Sequence, residues 1–247
     1  MTRDDLISRR TLLAAGSGVL GFAGVGTLAQ ARTVAFTQSR QIQMQTAGSG
    51  ARLEVDWKEW YNGDVVGERT TPENAPGQVQ IPDIKPGDSG TLALGLSTAA
   101  DEGEPPPAEI RMRVRAANPR ENGRTEPERK AGDTTPNVGE LQEFIDVDLW
   151  YDTGVRVGNV PLYGTCDAAD NTGDTPLAAG SLGEVAGEYT LDAGASNPAE
   201  TGPCLGPDES ICVTLDWRMD TDEGNINVIQ GDSVEFAIEF APQECQQ

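Results

Sequence analysis

Gly87-Asp88-Ser89-Gly90 has the look of a serine-protease nucleophile turn, yet none of the 247 residues of the chain is a histidine. Without histidine neither a Ser-His-Asp nor a Cys-His site can be assembled, because no other side chain carries a proton to and fro near neutral pH at its ordinary pKa. The same absence removes the His-Glu-x-x-His arrangement of zinc peptidases. The turn therefore reads as Pro-Gly punctuation at the start of a strand, and the chain as a protein without enzymatic activity. Paired carboxylates of the glycosidase kind need no histidine. With four tryptophans and four tyrosines, however, platforms for stacking sugars are sparse. A secreted carbohydrate- or ligand-binding module is the second reading of the chain.

Two acidic loops offer the clustered oxygens that calcium takes. One holds Asp167, Asp170, Asn171 and Asp174 around Gly173; the other holds Asp220, Asp222 and Asn225 around Gly224. Neither has EF-hand spacing, and neither ends in a bidentate glutamate. Calcium at these loops is the only cofactor the sequence suggests, and in so acidic a chain such clusters also arise by chance. Cys166, Cys204, Cys212 and Cys245 are the only cysteines, and in an exported chain four read as two disulfides. Of the three connectivities, Cys204–Cys212 with Cys166–Cys245 is favoured, because Gly206-Pro207-Asp208-Glu209-Ser210 would turn the first pair together. Loop closure would make these bonds worth roughly 2.6 and about 4.5 kcal/mol. A zinc site lacks the necessary Cys-x-x-Cys pair.

Export is written at the N-terminus. Ser8-Arg9-Arg10-Thr11 precedes an uncharged, glycine-studded stretch from Leu12 to Ala29, which ends at Ala29-Gln30-Ala31. A basic start, a short apolar run and a small-x-small end describe a signal peptide over residues 1–31, and the arginine pair directs it to the twin-arginine route. The stretch is about 18 residues long and rich in glycine rather than leucine, marginal for a stable span, and nothing later in the chain is apolar enough to cross a bilayer. The expected location is extracellular or at the cell surface. Cleavage removes three arginines and two aspartates, so the net charge of −22 becomes −23. At about 1 M salt the Debye length is only about 3 Å, which suits so acidic a surface; dilute buffer would leave it strained. Nucleic acid and anionic membranes are poor partners for such a surface.

The elements that must position these groups are strands, because apolar residues alternate with period 2. Leu53-Val55-Trp57, Leu92-Leu94-Leu96, Ile110-Met112-Val114, Ile145-Val147-Leu149-Tyr151, Ile211-Val213-Leu215-Trp217 and Val234-Phe236-Ile238-Phe240 each share one parity. Val79 and Ile81 make a seventh candidate. Gly/Pro/Asp-rich joints between them predict an all-β, antiparallel, jelly-roll-like β-sandwich over residues 51–247, with short helical insertions in loops. Val138–Phe144 is one such insertion; Ser181-Leu182-Gly183-Glu184, with capping-box spacing, is the other. The connections 101–107 and 118–137 are charged and proline-containing and read as mobile. Residues 32–50 form a separate N-terminal strand and hinge. Val34, Phe36, Ile42 and Met44 share a parity, and Gly48-Ser49-Gly50 follows. This strand is either an edge of its own domain or one donated to a neighbour by β-augmentation. Arg111, Arg113, Arg115, Arg120, Arg124, Arg129 and Lys130 crowd into twenty positions. They pair either with Glu235 and Glu239 or Asp146 and Asp148 across strands, or with an acidic face of the next subunit.

The order of pieces resembles the TasA/camelysin family in its secreted haloarchaeal form, with SipW-type or twin-arginine leaders. The matching residues are Val34-Ala35-Phe36-Thr37, Ile84-Lys85-Pro86-Gly87-Asp88-Ser89-Gly90-Thr91 and Asp148-Leu149-Trp150-Tyr151-Asp152. Further on come Gly180-Ser181-Leu182, Cys212-Val213-Thr214-Leu215-Asp216-Trp217 and Gly231-Asp232-Ser233-Val234-Glu235-Phe236. The resemblance implies a jelly roll and self-association into an extracellular fibre, pilus or biofilm matrix by N-terminal strand donation. The peptidase activity described for the camelysin branch does not carry over to a chain without histidine.

Overall fold

The computed structural model describes residues 37–44, 52–73, 78–82, 84–100, 102–153, 156–157, 160–161, 166, 168, 174–196, 202–220 and 226–245. Outside these lie the leader, Val34 and Phe36, the Gly48-Ser49-Gly50 joint, and Asp167, Asp170, Asn171, Asp222 and Asn225.

The alternating segments become strands of two sheets. The five-stranded sheet has the order β11 (Gly187–Leu191), β6 (Ala108–Arg120), β13 (Ser233–Glu244), β1 (Thr37–Met44) and β4 (Gln78–Pro82). The six-stranded sheet runs β10 (Thr175–Ser181), β7 (Asp146–Tyr151), β12 (Ser210–Arg218), β5 (Ser89–Ala99), β2 (Arg52–Tyr61) and β3 (Asp64–Glu73). A small ribbon pairs β8 (Arg156–Val157) with β9 (Val160–Pro161). One apolar core unites both sheets: Leu92, Leu94, Leu96, Val213 and Leu215 from one, Ile110, Met112, Val114, Phe236, Ile238 and Phe240 from the other. This is the all-β sandwich the alternation predicts, antiparallel except where β1 runs parallel to β13.

Alternation of burial is clean only where one face is open. In β6, Ile110, Met112 and Val114 are buried while Arg111, Arg113 and Arg115 are exposed. In the middle of the six-stranded sheet both faces are covered. Ala93 and Gly95 on β5, and Cys212 and Thr214 on β12, are buried along with their apolar neighbours. Gly95 has a particular reason to be glycine. Across the register lies Asp56 of β2, and a Cβ on Gly95 would sit 1.9 Å from its Oδ1.

Among the described residues three short α-helices interrupt the strands: α1 (Glu126–Ala131), α2 (Leu182–Val185) and α3 (Ala193–Ser196). The Ser181-x-x-Glu184 pattern does cap α2, Ser181 Oγ accepting from Glu184 N–H and Glu184 Oε2 from Ser181 N–H. The 138–144 insertion is a single 3-10 turn, Leu141–Glu143. The connection over 118–137 departs from expectation, because α1 forms inside it. Thr125 and Glu128 make a second capping box, Pro127 opens the first turn, and Gly132 (φ 97°) ends the helix in the left-handed conformation; only glycine enters that region without steric cost.

Candidate functional sites

The cysteines join differently from expectation. Cys166 pairs with Cys212 (Cα–Cα 5.5 Å) and Cys204 with Cys245 (6.0 Å), both within the span a disulfide bridges. Gly206–Glu209 does turn, but it carries the chain from one sheet to the other. Leu205 exchanges backbone hydrogen bonds with Ala108 of the five-stranded sheet, while Ser210 opens β12 in the six-stranded sheet. Ala108 also lies in register with Glu244 of β13. Cys204 is thereby delivered to Cys245, and Cys212 is left to Cys166.

The Gly87-Asp88-Ser89-Gly90 turn is a brace. Asp88 accepts from the Tyr61 hydroxyl, from Asn62 Nδ2 (2.9 Å) and from Lys85 N–H (2.8 Å), tying the β2–β3 hairpin to the start of β5. Ser89 is exposed, and its N–H donates to Asn62 Oδ1. Five of the seven residues of the basic cluster have an acidic partner within the chain, beginning with Arg111 and Glu109. Arg113 pairs with Glu188 and Glu239, Arg115 with Glu239, Arg124 with Asp133 and Lys130 with Glu126. Glu235 instead accepts from Asn118, and Asp146 and Asp148 pair with Arg218.

β1 occupies an inner position. It pairs in parallel with β13 from Gln38↔Val234 to Met44↔Phe240, and antiparallel with β4 from Thr37↔Pro82 to Gln41↔Gln78. Gln38, Arg40, Ile42 and Met44 stand in register with Val234, Phe236, Ile238 and Phe240, the core-facing set of β13. β1 is not an edge, since β4 lies beyond it. Of the two acidic loops, Asp174 accepts from Thr153 N–H and Oγ1 and holds the end of β7, and Asp220 is exposed.

A third acidic cluster, which the sequence reading did not single out, lies between β6 and β13. Glu121 follows β6, Glu128 is in α1, Asp133 follows α1, Glu140 precedes the 3-10 turn, and Asp232 precedes β13. Single oxygens of Glu121, Glu128 and Asp232 lie within 4.8 Å of one another, as do those of Glu121, Asp133 and Glu140. Four of these side chains spend one oxygen on a protein donor. Glu128 Oε2 accepts from Thr125 N–H, Asp232 Oδ2 from Glu140 N–H (2.6 Å), Glu140 Oε1 from the Thr135 hydroxyl, and Asp133 Oδ1 from Thr135 N–H (2.7 Å). The second oxygen of each, and both oxygens of Glu121, are buried without a hydrogen-bond partner. Gly139 makes room, since a Cβ there would come within 3.0 Å of Asp232 Cγ.

Electrostatics follow from that crowding. Burial, reinforced by the charges of Glu121, Glu140 and Glu128, pushes the Asp232 carboxyl up to about 7 against the pull of Glu140 N–H. Burial and then Glu128, Asp133 and Glu140 raise Glu121, against a weak pull from Gly123 N–H. Asp133 is held low by its Thr135 hydrogen bonds and, less, by Arg124. The segment 118–137 reads as a charged loop because Glu121, Glu128 and Asp133 have no fixed spacing, and Asp232, which completes one of the groups, lies far along the chain.

Among the described residues, no helix is long and apolar enough to cross a membrane. Compared with known proteins, the chain matches no family model and no curated protein sequence.

Proposed function

We propose that this chain is an exported structural protein, a subunit that self-associates by exchanging its N-terminal strand with a neighbouring copy to build an extracellular fibre, pilus or matrix. The observation that carries the reading is the seat of β1. As the first strand of the chain it is packed between β13 and β4, and every backbone bond it makes on the β13 side is a parallel pairing to the far end of the chain. Removing it breaks no hairpin between the other strands and opens a slot of seven register positions. A second copy's β1 would fill that slot with the same main-chain hydrogen bonds. The twin-arginine leader and the two disulfides fit an oxidising destination outside the membrane, and the surface charge fits high salt. The ligand-binding alternative gains nothing from the surface, because no aromatic side chain among the described residues is in the exposed class.

Deletion of residues 32–46 tests the reading. In molar salt the secreted chain should sediment as assemblies and show filaments by negative stain, whereas the truncated chain should stay monomeric and folded. A synthetic peptide of residues 32–46 should then bind the truncated chain with one-to-one stoichiometry. Monomers from the intact chain at all concentrations would refute exchange, as would a truncated chain that unfolds and cannot be rescued by the peptide.

A further inference from the structure

We infer that Glu121, Glu128, Asp133, Glu140 and Asp232 form a calcium-binding site that staples the β6–β7 connection to the start of β13. The cluster alone would not justify this, since carboxylates crowd many acidic surfaces. The second observation is the state of its two innermost members. Glu128 and Asp232 are each 0 % exposed, and each turns one oxygen, Oε1 and Oδ1, into the cluster with no hydrogen bond. A buried carboxylate oxygen without a partner loses its hydration and gains nothing in return. Six oxygens of the cluster are in this state: both of Glu121, Oε1 of Glu128, Oδ2 of Asp133, Oε2 of Glu140 and Oδ1 of Asp232, and their residues form two groups of three that meet at Glu121. Arg124 is the cationic group beside them among the described residues, its Nε 3.8 Å from Asp133 Oδ2.

The arrangement has the form of a metal site seen from the protein side. In such sites the non-ligating atom of each ligand is held by an outer hydrogen bond that aims the ligating atom. Here Thr125 N–H aims Glu128, Glu140 N–H aims Asp232, and Thr135 aims both Asp133 and Glu140. The donor set fixes the class of ion. Carboxylate oxygens with no nitrogen or sulfur suit a hard cation, and calcium accepts an adaptable, irregular set of oxygens where magnesium demands a near-ideal octahedron and keeps its waters. Glu121 belongs to both groups of three and is the central ligand. Four ligands come from a stretch of twenty residues after β6 and the fifth from the residue before β13, so the ion closes a long loop. Asn122 already spans the same gap, donating to Gly231 O (2.7 Å) and Ser233 Oγ (3.0 Å). The site is independent of strand exchange.

Calcium titration of the secreted chain, stripped with EGTA and returned to molar NaCl, tests this. The intact chain should give a saturable heat, and a hundredfold excess of calcium over Kd should raise its melting temperature by about 5–10 °C. Asp232→Asn and Glu121→Gln should each weaken calcium binding at least about tenfold while melting in EGTA no lower than the parent, because each relieves repulsion. If Asp232→Asn proves poorly folded, Glu121→Gln decides, since Gln keeps a carbonyl oxygen at the same place to accept the one weak pull, from Gly123 N–H, that Glu121 receives. An absence of heat and of any melting shift in the intact chain would overturn the site. So would a calcium response that survives undiminished in Glu121→Gln, which would assign the ion to the acidic loops 167–174 or 220–225.

Discussion

Replacing Cys204 and Cys245 together by serine removes one crosslink and leaves Cys166–Cys212 in place. The bond closes a separation of 41 residues; the chain-entropy relation converts that length into about 4 kcal/mol at 25 °C. The second bond spans 46 residues and overlaps the first only between Cys204 and Cys212, so the two closures are nearly independent. For a domain of this size each kcal/mol moves the melting temperature by roughly 2–4 °C, so the double variant should melt about 8–16 °C lower. The melts belong in molar salt, with denaturant unfolding alongside to show that the slope is preserved and only the midpoint shifts. Proteolysis of the unreduced parent should release a peptide pair linked through Cys204 and Cys245. A Cys204–Cys212 pair in that digest would refute the argument at its root, because it would mean that Leu205 does not bridge to Ala108. A drop of 1 kcal/mol or less would refute the magnitude.

Two further outcomes follow from the sandwich and its charge. Gly95→Ala should cost about 1–3 kcal/mol by forcing Asp56 off β5, and Asp56→Ala in the same chain should recover most of it in a thermal melt; a single variant that melts like the parent would disprove the close approach. Transfer from molar to millimolar salt should lower the melting temperature progressively, since the exposed pairs Arg113–Glu188 and Arg218–Asp148 contribute too little to offset the net charge of −23 left once three arginines and two aspartates go with the leader from a chain of −22; a melting temperature that is flat across that range would contradict it.

Sequence alone determined what depends on near neighbours. Period-2 alternation located β2, β5, β6, β7, β12 and β13, because a strand with a buried face writes its orientation into every second residue. The spacing of Ser181 and Glu184 announced the α2 cap, because both partners of a capping box lie within one turn. It missed β3, β10 and β11, whose residues Val65, Val66, Thr175, Gly187 and Glu188 carry no comparable apolar alternation. The tertiary structure decided everything that rests on which strand lies beside which. A turn at Gly206–Glu209 could have closed Cys204 onto Cys212, yet the sheet order sends its two arms to different sheets and hands Cys204 to Cys245. The parity of Ile42 and Met44 was legible, but their place beside Ile238 and Phe240 required the pairing of the chain's first and last strands. The carboxylate cluster was least legible of all. Glu121, Glu128, Asp133 and Glu140 look like a solvated stretch until Asp232, brought by β13 from far along the chain, closes over them and takes their oxygens out of water.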